Sequence, residues 1–172
     1  MKIINKKFSD RAFLNYLAEL KVWRHIDKLV LHHTSSPVET WKGTASMLHY
    51  YNLYRSRGWK TGPHVFIAPD GIWLFTPISK QGTHAGPEGN AGSIGIEIVG
   101  RYFNALPDNP EILRLSAVAI SSLLDKFKLD YQDIIHHQHY HTDGNCSPLL
   151  TKYWAQNNID EHKKYLTDLG FA

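Results

Sequence analysis

The chain has 172 residues, 42% of them hydrophobic and 20% charged, with a net charge of +3. That is enough apolar material for one sizeable core, read here as one domain over residues 1–172, while no run approaches the ~20 apolar residues of a membrane span. The basic residues are scattered and lack the clustered footprint of a nucleic-acid-binding surface, and one cysteine excludes an intrachain disulfide.

The opening residues, MKIINKKFSDRAF, carry charge but no apolar run and no small-residue cleavage site. No secretory signal is expected, so the chain is expected to be made in the cytoplasm. Residues 9–20 space Phe13, Leu14, Leu17 and Leu20 as a helix behind a Ser/Asp start. KLVLHH (28–33) reads as a buried strand that delivers His32 and His33 to a turn at TSSP. A helix is expected over 44–59, stopped by Gly58, with Met47, Tyr50, Tyr51 and Tyr54 along one face. Residues 64–75 read as a hairpin turned by Pro69, Asp70 and Gly71.

SIGIEIVG (93–100) is an apolar strand with Glu97 in its middle. A carboxylate there costs free energy unless it is paired, hydrogen-bonded or used. It is either an ion-pair or sheet-edge residue, or a general base whose burial raises its pKa. Over 109–127, Asn109 caps a helix with Pro110 at its first position, turning Ile112, Leu115, Ala119, Leu123 and Phe127 inward. YQDIIHH (131–137) reads as a last short strand, and a closing helix is expected over 149–166. The element order suggests a mixed sheet with helices on its faces.

Histidines are in excess, and several crowd around the lone Cys146 in IHHQHYHTDGNC (135–146). A lone cysteine is usually a small buried hydrophobe. Zinc, however, favours imidazole nitrogen and thiolate sulfur, and a catalytic zinc takes three protein ligands and leaves one position for water. One histidine at each of two strand ends, with Cys146, would supply that set.

In chain order, LVLHHTSSP, GPHVFIAPDGIW, GTHAG, NAGSIGIEIVG and HHQHYHTDGNCSP resemble the zinc-dependent N-acetylmuramoyl-L-alanine amidases. This family, amidase type 2, includes peptidoglycan recognition proteins and many phage endolysins. The resemblance runs from about Leu29 to Pro148. It implies an α/β fold, a central mixed β-sheet flanked by helices in a single domain. It also implies Zn2+ as cofactor, held by His32, a histidine of the late loop, and Cys146.

His136, ten residues before Cys146, is the preferred middle ligand, on strand alternation; His137, nine residues before it, is the alternative. Glu97 falls on the family's catalytic base, and His84, Asn90 and Ser93 on positions lining the substrate groove. His139 and His141 are expected to face solvent or substrate. Pro63 stands where some relatives carry a catalytic tyrosine, and Gly144 where several carry lysine or threonine. His64, Thr142 or another loop histidine is then the candidate to contact substrate and stabilise the oxyanion, with Trp59, Trp73 and Tyr50 as candidates to shape the groove.

The implied reaction is hydrolysis of the amide joining N-acetylmuramic acid to L-alanine of the peptidoglycan stem peptide. The implied partner is peptidoglycan or a muropeptide, met by a monomer that spans no membrane and acts on the cell wall after release, as in phage lysis. The alternatives are a non-catalytic peptidoglycan-binding module, a cytoplasmic wall-recycling amidase, a histidine-rich metal store and a zinc hydrolase of another amide.

Overall fold

A computed structural model describes residues 1–102, 107–140 and 167 of the chain. Among these, strands β1 (Lys6–Phe8), β2 (Lys28–His33), β3 (Val65–Ala68), β4 (Gly71–Leu74), β5 (Ser93–Ile98) and β6 (Ile134–His136) form one sheet in the order β1-β4-β3-β5-β2-β6. The β1–β4 and β4–β3 pairs are antiparallel, whereas β3–β5, β5–β2 and β2–β6 are parallel. Helices α1 (Asp10–Glu19), α2 (Thr44–Ser56), α3 (Gly86–Asn90) and α4 (Pro110–Phe127) complete the expected α/β arrangement. No described helix is long and apolar enough to cross a membrane.

Side chains alternate between the two faces of a strand, and residues paired across parallel strands share a face. One face carries Leu29 and Leu31 of β2, Val65 and Ile67 of β3, Ile94, Ile96 and Ile98 of β5, and Ile134 of β6. They form one buried cluster with Phe13 and Leu17 of α1 and Ile112, Leu115, Val118 and Leu123 of α4. Each such side chain contributes roughly 1.5–3 kcal/mol when fully buried.

Both helices are placed by their caps. Ser9 Oγ accepts from the Ala12 N–H at 3.3 Å, and Asn109 Oδ1 accepts from Glu111 and Ile112, both at 3.1 Å, with Pro110 beginning α4. The other face is divided. Over β3 and β4 it is apolar, with Phe66, Ala68, Trp73 and Phe75 packed under Met47, Tyr50 and Tyr54 of α2. Over β5 and β2 it presents Ser93, Gly95, Glu97 and His32 instead.

Several elements depart from the sequence reading. β1 contributes one buried side chain, Phe8, so its alternation is too short to register; pairing with Ile72, Trp73 and Leu74 of β4 defines it. α3 is built from GPEGN, a poor helix former, and is held by Asn90 Oδ1, which accepts from the His84 and Ala85 N–H groups at 2.8 Å each. α2 stops at Ser56, ahead of Gly58, whose φ is +75°. Residues Tyr131–Asp133 are a 3-10 turn closed by a capping box between Asp130 and Asp133, so the last strand begins only at Ile134, and a second 3-10 turn, His137–His139, follows it. The helix expected over 149–166 lies outside the described residues.

Candidate active site

Beside α2, on the polar half of the divided face, lies an open groove of about 840 Å3. Its lining includes His32 of β2, Glu97 of β5, His84 and Asn90 around α3, and His137 after β6; Tyr50, Tyr54, Arg57 and Trp59 face them from α2 and the residues after it. The sheet register makes the first pairing. His32 is the direct partner of Glu97 on adjacent parallel strands, which lie about 4.8 Å apart.

The same register separates the two candidate histidines of β6. His136 pairs with Leu31 and therefore shares the core-facing side of β2, opposite to His32. It is absent from the groove lining, and its Nδ1 is buried without a hydrogen bond among the described residues. His137 comes one residue later, in the 3-10 turn, and its ring centroid lies 4.6 Å from that of His32. The preference for His136 therefore runs against the geometry, which brings His137 to His32. Cys146, and with it His141, Thr142 and Gly144, lies outside the described residues.

A hydrogen-bond chain backs His32. Ser93 Oγ lies 3.1 Å from the Asn90 carbonyl, which can only accept, so the hydroxyl proton points there. His84 Nε2 lies 3.1 Å from the same Oγ and must donate to it. Burial first, then the neighbouring His32, His64, His137 and Arg24, hold the His84 pKa well below the ordinary histidine value, so its ring is neutral and Nδ1 carries a lone pair. That Nδ1 is 3.1 Å from His32 Nε2, which donates. His32 is left with its lone pair on Nδ1.

Glu97 is 8% exposed, and burial pushes its pKa up to about 8, against the Tyr54 hydroxyl and the Arg57 guanidinium, which pull it down. Tyr54 is raised well above the usual phenol value, by burial first and by Glu97 next. Trp59 stacks on Tyr54, with centroids 5.0 Å apart and planes 10° apart, and the Arg57 guanidinium sits 5.6 Å from the Trp59 ring. Sequence reasoning places neither Tyr54 nor Arg57 in the groove. Their signal is the spacing 50, 54, 57, which continues the Tyr50–Tyr54 stripe of α2 by one helical turn.

Three expected groove residues are absent from the lining: Ser93, His64 and Trp73. Ser93 lies fully buried behind His84. His64 is fully buried, with Nδ1 accepting from the Gly95 N–H at 2.9 Å and Nε2 donating to the Lys80 carbonyl at 2.9 Å. Burial pushes its pKa down to about 3, against the Lys80 carbonyl and with Arg24. With both ring nitrogens committed, it joins the start of β3 to β5 and has nothing to offer a substrate. Trp73 is buried under α2, its Nε1–H donating to Asp70 at 2.9 Å. Asn90 does line the groove, but its carbonyl and side-chain oxygens are occupied by Ser93, His84 and Ala85.

Among the described residues no three His, Cys, Asp or Glu side chains are grouped to hold a metal ion. The donor chemistry nevertheless fits one. Two imidazoles are adjacent, and the lone pair of His32 is directed to Nδ1 by the chain behind it, as metal-ligating histidines generally require.

Residues 22–148 match the family model described as N-acetylmuramoyl-L-alanine amidase. The fold is similar to that of the endolysin N-acetylmuramoyl-L-alanine amidase LysCS from Clostridium intestinale, with 21% identity and a TM-score of 0.62 over 81% of this chain and 85% of that one. It is also similar to a mutant endolysin from Bacillus subtilis, with 21% identity and a TM-score of 0.61 over 79% and 86% of the two chains. For Drosophila PGRP-LB the values are 22% and 0.63 over 80% and 82%, and a mutant of that protein is known in complex with tracheal cytotoxin. No curated protein matches the sequence.

Proposed function

The chain belongs to the N-acetylmuramoyl-L-alanine amidase family, and on that premise we propose that it hydrolyses the amide between N-acetylmuramic acid and the L-alanine of the peptidoglycan stem, with Glu97 as general base and a zinc ion held by His32, His137 and Cys146. The observation that carries this reading is the buried carboxylate of Glu97 paired across the sheet with His32, in a groove that His137 also lines. A bound zinc ion supplies a Lewis acid for the scissile carbonyl and lowers the pKa of water.

The protein's own part follows from placement. Glu97 takes a proton from the attacking water and returns it to the leaving amine, and its burial brings its basicity near neutrality. Tyr54, facing Glu97, restrains the carboxylate. Trp59 and Tyr50 offer ring faces to sugar or peptide, and Arg57 offers a cation to the carboxylates of the stem. His137 takes the role first expected of His136. As a wall-lytic enzyme the chain would meet polymeric peptidoglycan, which an open groove admits.

Mass spectrometry of peptidoglycan digested by the purified chain tests the bond. Stem peptides with a free L-alanine amine are expected, together with about one zinc per chain. Cleavage elsewhere would refute the amidase reading, and binding of peptidoglycan without cleavage would leave a recognition module.

A further inference from the structure

Resting on the zinc reading above, we propose that Ser93 and His84 form a relay that fixes His32 in its Nε2–H tautomer and so presents Nδ1 as the metal-binding atom. His84 is then a positioning residue acting through His32, where the sequence had placed it as a wall of the substrate groove.

Three features carry this. The first is polarity. The relay begins at a backbone carbonyl, that of Asn90, which has no proton to give, and passes through the buried, uncharged ring of His84, so each bond along Ser93, His84 and His32 has one allowed direction. The second is the angle between the rings. His84 meets His32 edge-on, with planes at 90° and centroids 5.1 Å apart, an arrangement that suits an in-plane ring nitrogen but places no π-stack between them.

The third is Gly95. A Cβ at this position would lie 2.5 Å from His84 Cδ2 and Cγ, so His84 lies against bare backbone, and only glycine leaves the ring where it is. The outward residues of β5 then act together. Ser93 sets the proton, Gly95 makes room for the ring, and Glu97 stands beside the His32 that the ring orients. Asn90 closes the arrangement by holding the His84 and Ala85 N–H groups, which fixes the loop that carries the ring.

The experiment titrates the metal-free chain with zinc alone, against a competing chelator dye, and reads the ring-nitrogen tautomers of the metal-free chain by two-bond 1H–15N spectra. Wild type is expected to show His32 and His84 as single Nε2–H tautomers. His84→Leu is expected to weaken zinc binding by about 10- to 100-fold and to leave His32 a mixture of tautomers. His84→Gln, whose amide oxygen can accept from His32 while its N–H₂ reaches Ser93, is expected to recover most of the affinity. Ser93→Ala is expected to lose less than His84→Leu, in the same direction. Gly95→Ala is expected to behave like His84→Leu although residue 95 carries no metal-binding side chain.

Zinc affinity unchanged in folded His84→Leu overturns the relay, as does a wild-type His32 protonated on Nδ1. Should Gly95→Ala fail to fold, the His84→Leu and His84→Gln pair still decides. A wild-type chain that binds no zinc overturns the function proposed above, and the tautomer spectra of that same chain then uphold or overturn the relay by themselves.

Discussion

β5 offers two faces within six residues. Ile94, Ile96 and Ile98 are fully buried against α1 and α4, while Ser93, Gly95 and Glu97 look into the groove or support it. The first set is interchangeable in kind, since any apolar side chain of similar volume would fill the same space. The second set is not, because each member serves particular named partners: Ser93 joins Asn90 to His84, Gly95 receives the His84 ring, and Glu97 stands beside His32. β2 repeats the division, with Leu29 and Leu31 on the core side and His32 on the other. On these two central strands most of the apolar burial lies on one face, and the opposite face, beside the buried Val30, is left to hold costly polar groups.

The comparison can be broken most sharply at adjacent residues. Glu97→Gln keeps the shape of the side chain and removes its basicity. Turnover is expected to fall by on the order of 10²- to 10⁴-fold, with zinc content retained and the melting temperature the same or higher, because a buried carboxylate is traded for a neutral amide. Full activity in this variant would end the base assignment. Ile96→Ala, one residue away, should do the opposite. It is expected to cost roughly 2–5 kcal/mol in urea unfolding and leave kcat of the folded fraction unchanged, and a loss of kcat at full stability would mean that the two faces are not separable.

His64 sharpens the division, for it is polar and yet belongs to the stabilising side. Its two ring nitrogens pair with the Gly95 N–H and the Lys80 carbonyl, so His64→Leu strands both. The expected cost is roughly 1–3 kcal/mol for an unpaired buried group, read as a lower denaturation midpoint, with KM unchanged. A raised KM at unaltered stability would return His64 to the groove.

Much of this arrangement is legible in the residues themselves. The isoleucines of SIGIEI mark a buried strand, and Asn109 with Pro110 marks the start of α4. The polar insertion at Glu97 marks the groove. What local pattern cannot supply is partnership at a distance. The choice between His136 and His137 turns on which residue Leu31 pairs with, a register set more than a hundred positions upstream, and on the capping box at Asp130, which delays the strand to Ile134. His64 reads as a candidate to contact substrate because Pro63 beside it stands where some relatives carry a catalytic tyrosine; its ring nitrogens instead pair with Gly95 and Lys80. The short β1 and the glycine-rich α3 are defined by contacts with β4 and Asn90, which their own sequences do not announce.

The smallest expected effect lies on the outer layer of the stabilising side, where Arg114 of α4 joins Asp10 of α1 at 2.7 Å and Glu111 at 2.8 Å. Burial, the largest single influence, would raise the Asp10 pKa, but the Arg114 hydrogen bond, the Arg11 and Asp10 backbone N–H groups and the Arg114 charge together outweigh it and the net shift is downward; Glu111 is lowered first by its hydrogen bond to the same guanidinium. A carboxylate lowered in the folded state contributes stability above its unfolded pKa and loses it as pH falls through the folded value. Arg114→Met, which keeps the apolar stem, is therefore expected to cost about 0.2–1 kcal/mol near pH 7, the usual worth of a partly exposed ion pair, and the deficit should shrink below the ordinary carboxylate range near pH 4. Melting curves of the two proteins across that range measure it. A gap that stays constant with pH would assign the effect to contacts of the guanidinium plane that methionine does not make, rather than to charge, and the helices covering the apolar face would then be held by contact alone.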